Sequence, residues 1–489
     1  MTVKNGAQLI TYPDSLGGDL RALDYVLQTY FPDLFPGGIH ILPPFPSSGD
    51  RGFSPLTYLE IAPQFGTWED MRRIGRRCPI LLDLMVNHIS AQSAYFQDFL
   101  KNGQASRYAD LFIPVSKIWP NGDAPRKDME KVFLRRTEPF SDFTIEATGQ
   151  VQRVWTTFGK TAPSGQIDID VNSTIARDLL TEFMTTFSEN GVQIVRLDAV
   201  GYVIKKPGTT CFFVVPEIYR FLEWIAGLAS SLKIELLPEV HAEYTTQFQL
   251  AERGYWIYDF ILPYTILDAL LNRTSRRLKE YLKVRPRRQF TMLDCHDGIP
   301  IKPDLNGLYG SEDARKVVAV CLSRGANLSL VFSPLHKDPD GFDVHQIRGT
   351  FYSLLDCNDD AYLAARAIQF FTPGVPQIYY VGLLAGKNDQ SAIEKTGDGR
   401  ELNRHNYSVD EVDRELRRSV VQRLMRLIRF RNEYDAFNGV FRVHESDDSL
   451  LNLSWESERS RCQLIVDLNS LKAMIRYGTE KGDLVDFAF

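Results

Sequence analysis

Gln193-Ile194-Val195-Arg196-Leu197-Asp198 is an apolar run that ends on an arginine and a carboxylate two residues apart. Side chains at i and i+2 of a strand share a face, so Arg196 and Asp198 point the same way. Two more stretches repeat the pattern. Glu235-Leu236-Leu237-Pro238-Glu239 and Gln289-Phe290-Thr291-Met292-Leu293-Asp294, the latter followed by Cys295-His296-Asp297, again lead apolar runs to carboxylates. Continuous apolarity is what parallel strands need when helices cover them.

Further runs of the same length lie at Gln8–Tyr12, Gly38–Pro43, Ile80–Asn87, Trp256–Leu262 and Pro376–Val381. Amphipathic helical segments separate them, for example Ile175–Ser188 and Tyr219–Leu232. Strands that alternate with helices in this way predict an α/β fold, a (β/α)8 TIM barrel, with an open doubly wound sheet as the alternative. In such a barrel the active site is built from the strands' C-terminal ends, where Asp198, Glu239 and Asp297 fall.

The spacing predicts the domains. Residues 1–87, 169–297 and 362–436 make the barrel, with an aromatic-rich insertion at 88–168 over its mouth and a second at 298–361. That second insertion carries a helix over Ser311–Ala326. A basic helix over Glu411–Tyr434 leads to an alternating stretch, 437–489, expected as a small C-terminal antiparallel β domain.

Composition is that of a globular enzyme: 489 residues, 44% apolar and 24% charged. A net charge of −6 offers no field for nucleic acid or an anionic membrane. No run approaches the roughly 18 apolar residues of a membrane span. Met1–Ile10 lack the apolar core of a secretory leader, and the six cysteines form no CxxC pair, so the expected location is the cytoplasm.

The residue types narrow the chemistry to glycosidic bonds. Arg196 is expected to lower the pKa of Asp198, and an acid held ionised and still suits a nucleophile, the expected role of Asp198; a buried Arg–Asp pair that only braces the barrel is the competing reading. Glu239 has apolar neighbours that favour a protonated acid, so it is expected as general acid and then base. Asp297 is expected to bind hydroxyls and steady positive charge on the ring. His88 and His296 stand beside these groups as donors to sugar hydroxyls. Asp83, Asn87 and His88 are close in sequence, but no dense ligand set exists and no metal is expected.

Val86-Asn87-His88-Ile89-Ser90, Ile194–Tyr202, Glu239-Val240-His241 and Leu293–Ile299 resemble the signature regions of glycoside hydrolase family 13, the α-amylase clan. The resemblance extends to the sucrose phosphorylase branch through Gln8–Tyr12, His40–Pro43, Gln166–Asp170, Tyr379–Gly382, Ala385–Asp389 and Gly399–His405. It implies double displacement on a sucrose-like α-glucoside, with Asp198 as nucleophile, Glu239 as acid and base, and Asp297 as stabiliser. It also assigns Asp50 and Arg404, with Arg196, His88 and His296, to the glucose side, and Phe158 as a platform for the ring. Tyr202 and His241 fall on the acceptor side. No cofactor is implied beyond inorganic phosphate as co-substrate, and the partners are small sugars; relatives of this kind are monomers or homodimers.

Phosphorolysis needs an anion site, for which Arg135, Arg136, His345 and Arg348 are the candidates. Where sucrose phosphorylases carry Asp-Leu-Tyr-Gln, this chain has Asp343-Val344-His345-Gln346. A histidine can donate to a phosphate and gain charge near one. That substitution resembles the sucrose 6F-phosphate phosphorylases, so phosphorolysis of sucrose 6F-phosphate is expected. Sucrose itself, glucosylglycerol and glucosylglycerate are the alternative substrates. A retaining α-glucosidase or transglucosylase is more distant, and a sugar-binding relative without activity is the non-enzyme reading.

Overall fold

A computed structural model describes residues 3–333, 337–479, 482 and 484–489. The chain divides into two compact units. One comprises Ile41–Val240 and Leu330–Asp343, the other Thr2–His40, His241–Ser329 and Val344–Phe489.

All eight expected strands form: β1 (Gln8–Thr11), β2 (Gly38–Ile41), β3 (Ile80–Met85), β4 (Val192–Asp198), β5 (Glu235–Pro238), β6 (Ile257–Asp259), β7 (Gln289–Thr291) and β8 (Val375–Tyr379). Within the first unit the order is β3-β4-β5, and both pairings are parallel. Within the second the order is β6-β7-β8-β1-β2, with β6–β7, β7–β8 and β8–β1 parallel. Parallel strands alternating with helices are the (β/α)8 barrel class, as the apolar runs require. Every residue of β3 is buried, which is why its sequence lacks polar alternation apart from Asp83.

The helices start where capping chemistry places them. Ser173 Oγ accepts from Ala176 N at 3.1 Å and opens Thr174–Glu189, which buries Ala176, Leu180, Phe183, Met184 and Phe187 at helical spacing. Thr67 and Asp70 form a reciprocal capping box ahead of Trp68–Gly75. One expectation needs correction. The basic helix is two helices, Val409–Leu416 and Ser419–Glu433, because Arg418 is extended (φ −70°, ψ 136°). Its guanidinium bonds Glu415 at 2.7 Å and the carbonyls of Leu384 and Ala385 at 3.1 Å.

Between β3 and β4 the first unit carries its own aromatic cores. His88–Ser90 pairs antiparallel with Gln166–Asp168, and Phe140–Thr144 with Val151–Trp155. Trp119 stacks on Trp155 with centroids 5.7 Å apart. In the second unit, Ile299–Pro300 pairs with Val344–Arg348, and five consecutive antiparallel strands close the chain from Val440 to Phe487. Ser460–Asp467 alternates buried and half-buried residues, the pattern of a sheet with one covered face. All six cysteines are free thiols. Among the described residues no helix is long and apolar enough to cross a membrane.

Candidate active site

The register of the first unit explains its charge cluster. In β3 and β4, Asp83 lies opposite Arg196 and Met85 opposite Asp198; in β4 and β5, Leu197 lies opposite Pro238. Glu239 therefore emerges one residue past β5, its N–H donating to Leu197 O at 3.1 Å. One guanidinium holds three carboxylates. Arg196 Nη1 bonds Asp83 Oδ1 at 2.5 Å and Asp198 Oδ1 at 2.7 Å, and Nη2 bonds Glu239 Oε1 at 2.7 Å. These bonds let Arg196 hold the three carboxylates in place. Ala199, just after Asp198, sits at φ +54° and donates its N–H to Glu239 Oε2 at 3.1 Å. A left-handed alanine is strained, and here it points a backbone donor at an acid.

Three carboxylates against one arginine leave excess negative charge in a buried place. Burial pushes the Asp198 carboxyl well above the ordinary carboxylate range; Arg196 opposes the rise, while Glu239 and Asp83 add to it. The expectation that the arginine would dominate is corrected: desolvation wins. The Glu239 charge thus adds to what burial does, and both disfavour the ionised form of Asp198.

His88 is buried beside this cluster in sequence and bonds Phe53 O through Nε2 at 3.0 Å. A carbonyl only accepts, so Nε2 carries the proton and Nδ1 is an acceptor. Nδ1 is buried with no hydrogen-bond partner among the described residues. Burial lowers the His88 pKa, with Asp168 and Asp50 opposing. A neutral His88 thus leaves Nδ1 as a buried acceptor. Asp50 and Arg51 are both left-handed (φ 51° and 48°), and Gly52 follows at φ +103°, where a Cβ would meet Pro43 O at 2.5 Å.

Phe158 packs between His88 and Tyr202, with centroids 5.3 and 5.1 Å away. The two candidate arginines separate here. Arg136 donates to Phe158 O at 3.3 Å and Thr161 O at 2.8 Å, which commits it to the loop. Arg135 lies over the Phe158 ring, 5.9 Å from its centroid.

The second unit gathers the other candidates. Asp297 lies 3.6 Å from His296 Nε2 and 3.9 Å from Arg400 Nε. Asn403 Nδ2 holds the carbonyls of Cys295 and Asp297 at 2.9 and 3.1 Å, and Arg404 Nε holds His296 O at 3.0 Å. Arg404 also lies over Tyr12, whose ring meets His296 edge-on. Burial and the neighbouring Arg400 and Arg404 lower the pKa of Arg348, while Asp297 and Asp398 raise it. His241 Nδ1 faces both oxygens of the fully buried Asp304 at 3.3 Å, and its ring stacks on Phe260 at 4.0 Å. His345, 1% exposed, donates Nδ1–H to Lys302 O at 2.5 Å, with its ring 6.0 Å from His241. Asp304, Arg400 and Asn403 escaped the sequence reading, because only distant partners give them a role. Asp83 did carry a signal, being the one charge in an apolar strand. Among the described residues no group of three or more His, Cys, Asp or Glu is placed to hold a metal.

Comparisons with known proteins agree with this chemistry. A model of the α-amylase catalytic domain matches residues 5–260. The chain is 60% identical over 487 residues to sucrose 6(F)-phosphate phosphorylase of Thermoanaerobacterium thermosaccharolyticum, covering 100% of each. It is 42% identical over 478 residues to glucosylglycerol phosphorylase of Marinobacter adhaerens, covering 98% of this chain and 97% of that one. The crystal structure of sucrose 6F-phosphate phosphorylase from Thermoanaerobacter thermosaccharolyticum superposes with a TM-score of 0.98 at 59% identity, over 100% of this chain and 99% of that one.

Proposed function

The chain belongs to the α-amylase family, glycoside hydrolase family 13, and we propose that it is a retaining α-glucoside phosphorylase acting on sucrose 6F-phosphate. The observation that carries the reading is the Arg196-bridged pair of Asp198 and Glu239, in a chain of 60% identity to a phosphorylase of that name.

Asp198 attacks the anomeric carbon, the bond to the fructosyl oxygen breaks, and Glu239 gives that oxygen its proton. Fructose 6-phosphate leaves, and the glucosyl group stays as a β-ester on Asp198. A phosphate oxygen then attacks the same carbon, Glu239 takes the proton, and the ester bond breaks. Two inversions give α-glucose 1-phosphate with retention. Asp297 steadies the charged ring, with Asp50, His88, His296 and Arg404 on its hydroxyls and Phe158 against its face. Tyr202 and His241 belong to the acceptor side. Inorganic phosphate is the co-substrate, and the balance of atoms calls for no other cofactor. A cytoplasmic location and a monomeric or homodimeric state complete the proposal.

The acid role has a clean test. Glu239→Gln should lose turnover of sucrose 6F-phosphate by about 100-fold or more. It should retain glucosyl transfer from α-glucosyl fluoride, whose leaving group needs no proton. Equal loss on both donors, by stopped assays of product, would remove Glu239 from that role.

Arg135 is the first unit's preferred anion donor and His345 the second unit's; Arg136 ranks below Arg135 because its guanidinium donates to the 158–161 loop. Hydrogen bonds to charged groups contribute about 1.5–3 kcal/mol, or roughly 10- to 100-fold. Arg135→Ala with His345→Tyr should therefore cut the preference for sucrose 6F-phosphate over sucrose by about that factor. An unchanged ratio of kcat/KM values sinks the assignment.

A further inference from the structure

Lys205 is a buried cation that the mechanism above does not use. Its side chain is 2% exposed, and its partner Asp168 is fully buried, with Nζ to Oδ2 at 2.7 Å. Nζ also donates to Thr157 Oγ1 at 3.0 Å, to Asn87 Oδ1 at 3.2 Å and to Tyr202 O. The Trp155 ring centroid lies 5.3 Å away. An ammonium has three protons, and here four oxygens surround it. Burying such a charge is costly unless its surroundings are fixed, so this cluster is demanding in geometry.

Each oxygen sits on or next to a residue assigned above to the sugar. Asn87 precedes His88, Thr157 precedes Phe158, and Tyr202 supplies its own carbonyl. Asp168 is the register partner of His88 in the short antiparallel pair, and it also accepts from Thr157 N at 2.8 Å. Three segments far apart in sequence thus converge on one Nζ.

We infer that Lys205 is a positioning residue whose ammonium sets His88 and Phe158 in register for the glucosyl group and Tyr202 for the acceptor. The inference rests on reading those three as sugar contacts. Displacing a contact by about 1 Å can cost roughly 100-fold, so the effect on turnover is large for a residue that touches no substrate.

The test compares Lys205→Ala, Lys205→Met and Lys205→Arg by steady-state release of glucose 1-phosphate, thermal unfolding and hydrogen exchange. Lys205→Ala should lose about 10- to 100-fold in kcat/KM for the glucosyl donor. Propylammonium should restore part of that loss by supplying the missing charge in the vacated space. Lys205→Met fills the space without charge, so it should stay impaired and show no rescue. Both should show faster exchange at 87–90, 157–158 and 202 than wild type. Lys205→Met with wild-type kcat/KM would overturn the inference, as would loss in Lys205→Ala that propylammonium never restores. If wild-type protein releases no glucose 1-phosphate, the functional reading has failed; exchange at the three segments then decides the Lys205 inference alone.

Discussion

Asp198→Asn should remove phosphorolysis by roughly four orders of magnitude or more while leaving the protein folded. The amide keeps the shape and one acceptor for Arg196, but it cannot form the glucosyl ester. The stability change has a definite sign. Burial raises the folded-state pKa of Asp198 above its unfolded value. The stabilisation from that tighter proton is full below the unfolded carboxylate range and is lost as pH rises through the raised pKa. Asn carries no charge at either pH. The variant should therefore gain stability relative to wild type between about pH 4, near the unfolded carboxylate pKa, and neutrality. Thermal unfolding across that window reads it directly. A variant that retains full turnover contradicts the nucleophile assignment; one whose relative stability falls with rising pH contradicts the charge argument.

Arg196→Met should have the largest effect on stability. It deletes a cation that bonds Asp83, Asp198 and Glu239 together, all of them largely buried. Breaking a buried pair by removing one partner costs about 3–5 kcal/mol, because a charge is left uncompensated. Here three carboxylates each lose a charged donor at once. The loss should shrink as pH falls and the carboxylates protonate, and adding Asp83→Asn should recover part of it at neutral pH. Denaturant unfolding of the two variants measures both. Lysine at this position is no substitute, since one ammonium cannot reproduce the fork that spans Asp198 and Glu239.

The barrel strands were legible because buried parallel strands are nearly uninterrupted in Ile, Leu and Val, and a carboxylate at the end of such a run stands out. Asp198 and Glu239 were found that way. The break at Arg418 was invisible, because the sequence on both sides is helical and the carbonyls that hold the guanidinium belong to Leu384 and Ala385. Lys205 and Asp304 were missed for the same reason. A buried lysine reads as an exposed one until Asn87, Thr157 and Asp168 are known to surround it. Arg135 and Arg136 are adjacent and chemically identical in sequence; only the carbonyls of Phe158 and Thr161 tell them apart. Desolvation of Asp198 likewise depends on packing that no spacing rule reports, so the arginine beside it looked dominant.

The acceptor side is proposed to take a phosphorylated fructosyl group. Glucose 1-phosphate release, measured side by side from sucrose 6F-phosphate and from sucrose in phosphate buffer, tests it most directly. A higher kcat/KM is expected for sucrose 6F-phosphate, by about 10-fold or more if Arg135 and His345 each donate to the added phosphate. A higher kcat/KM for sucrose, or release from neither donor, contradicts it.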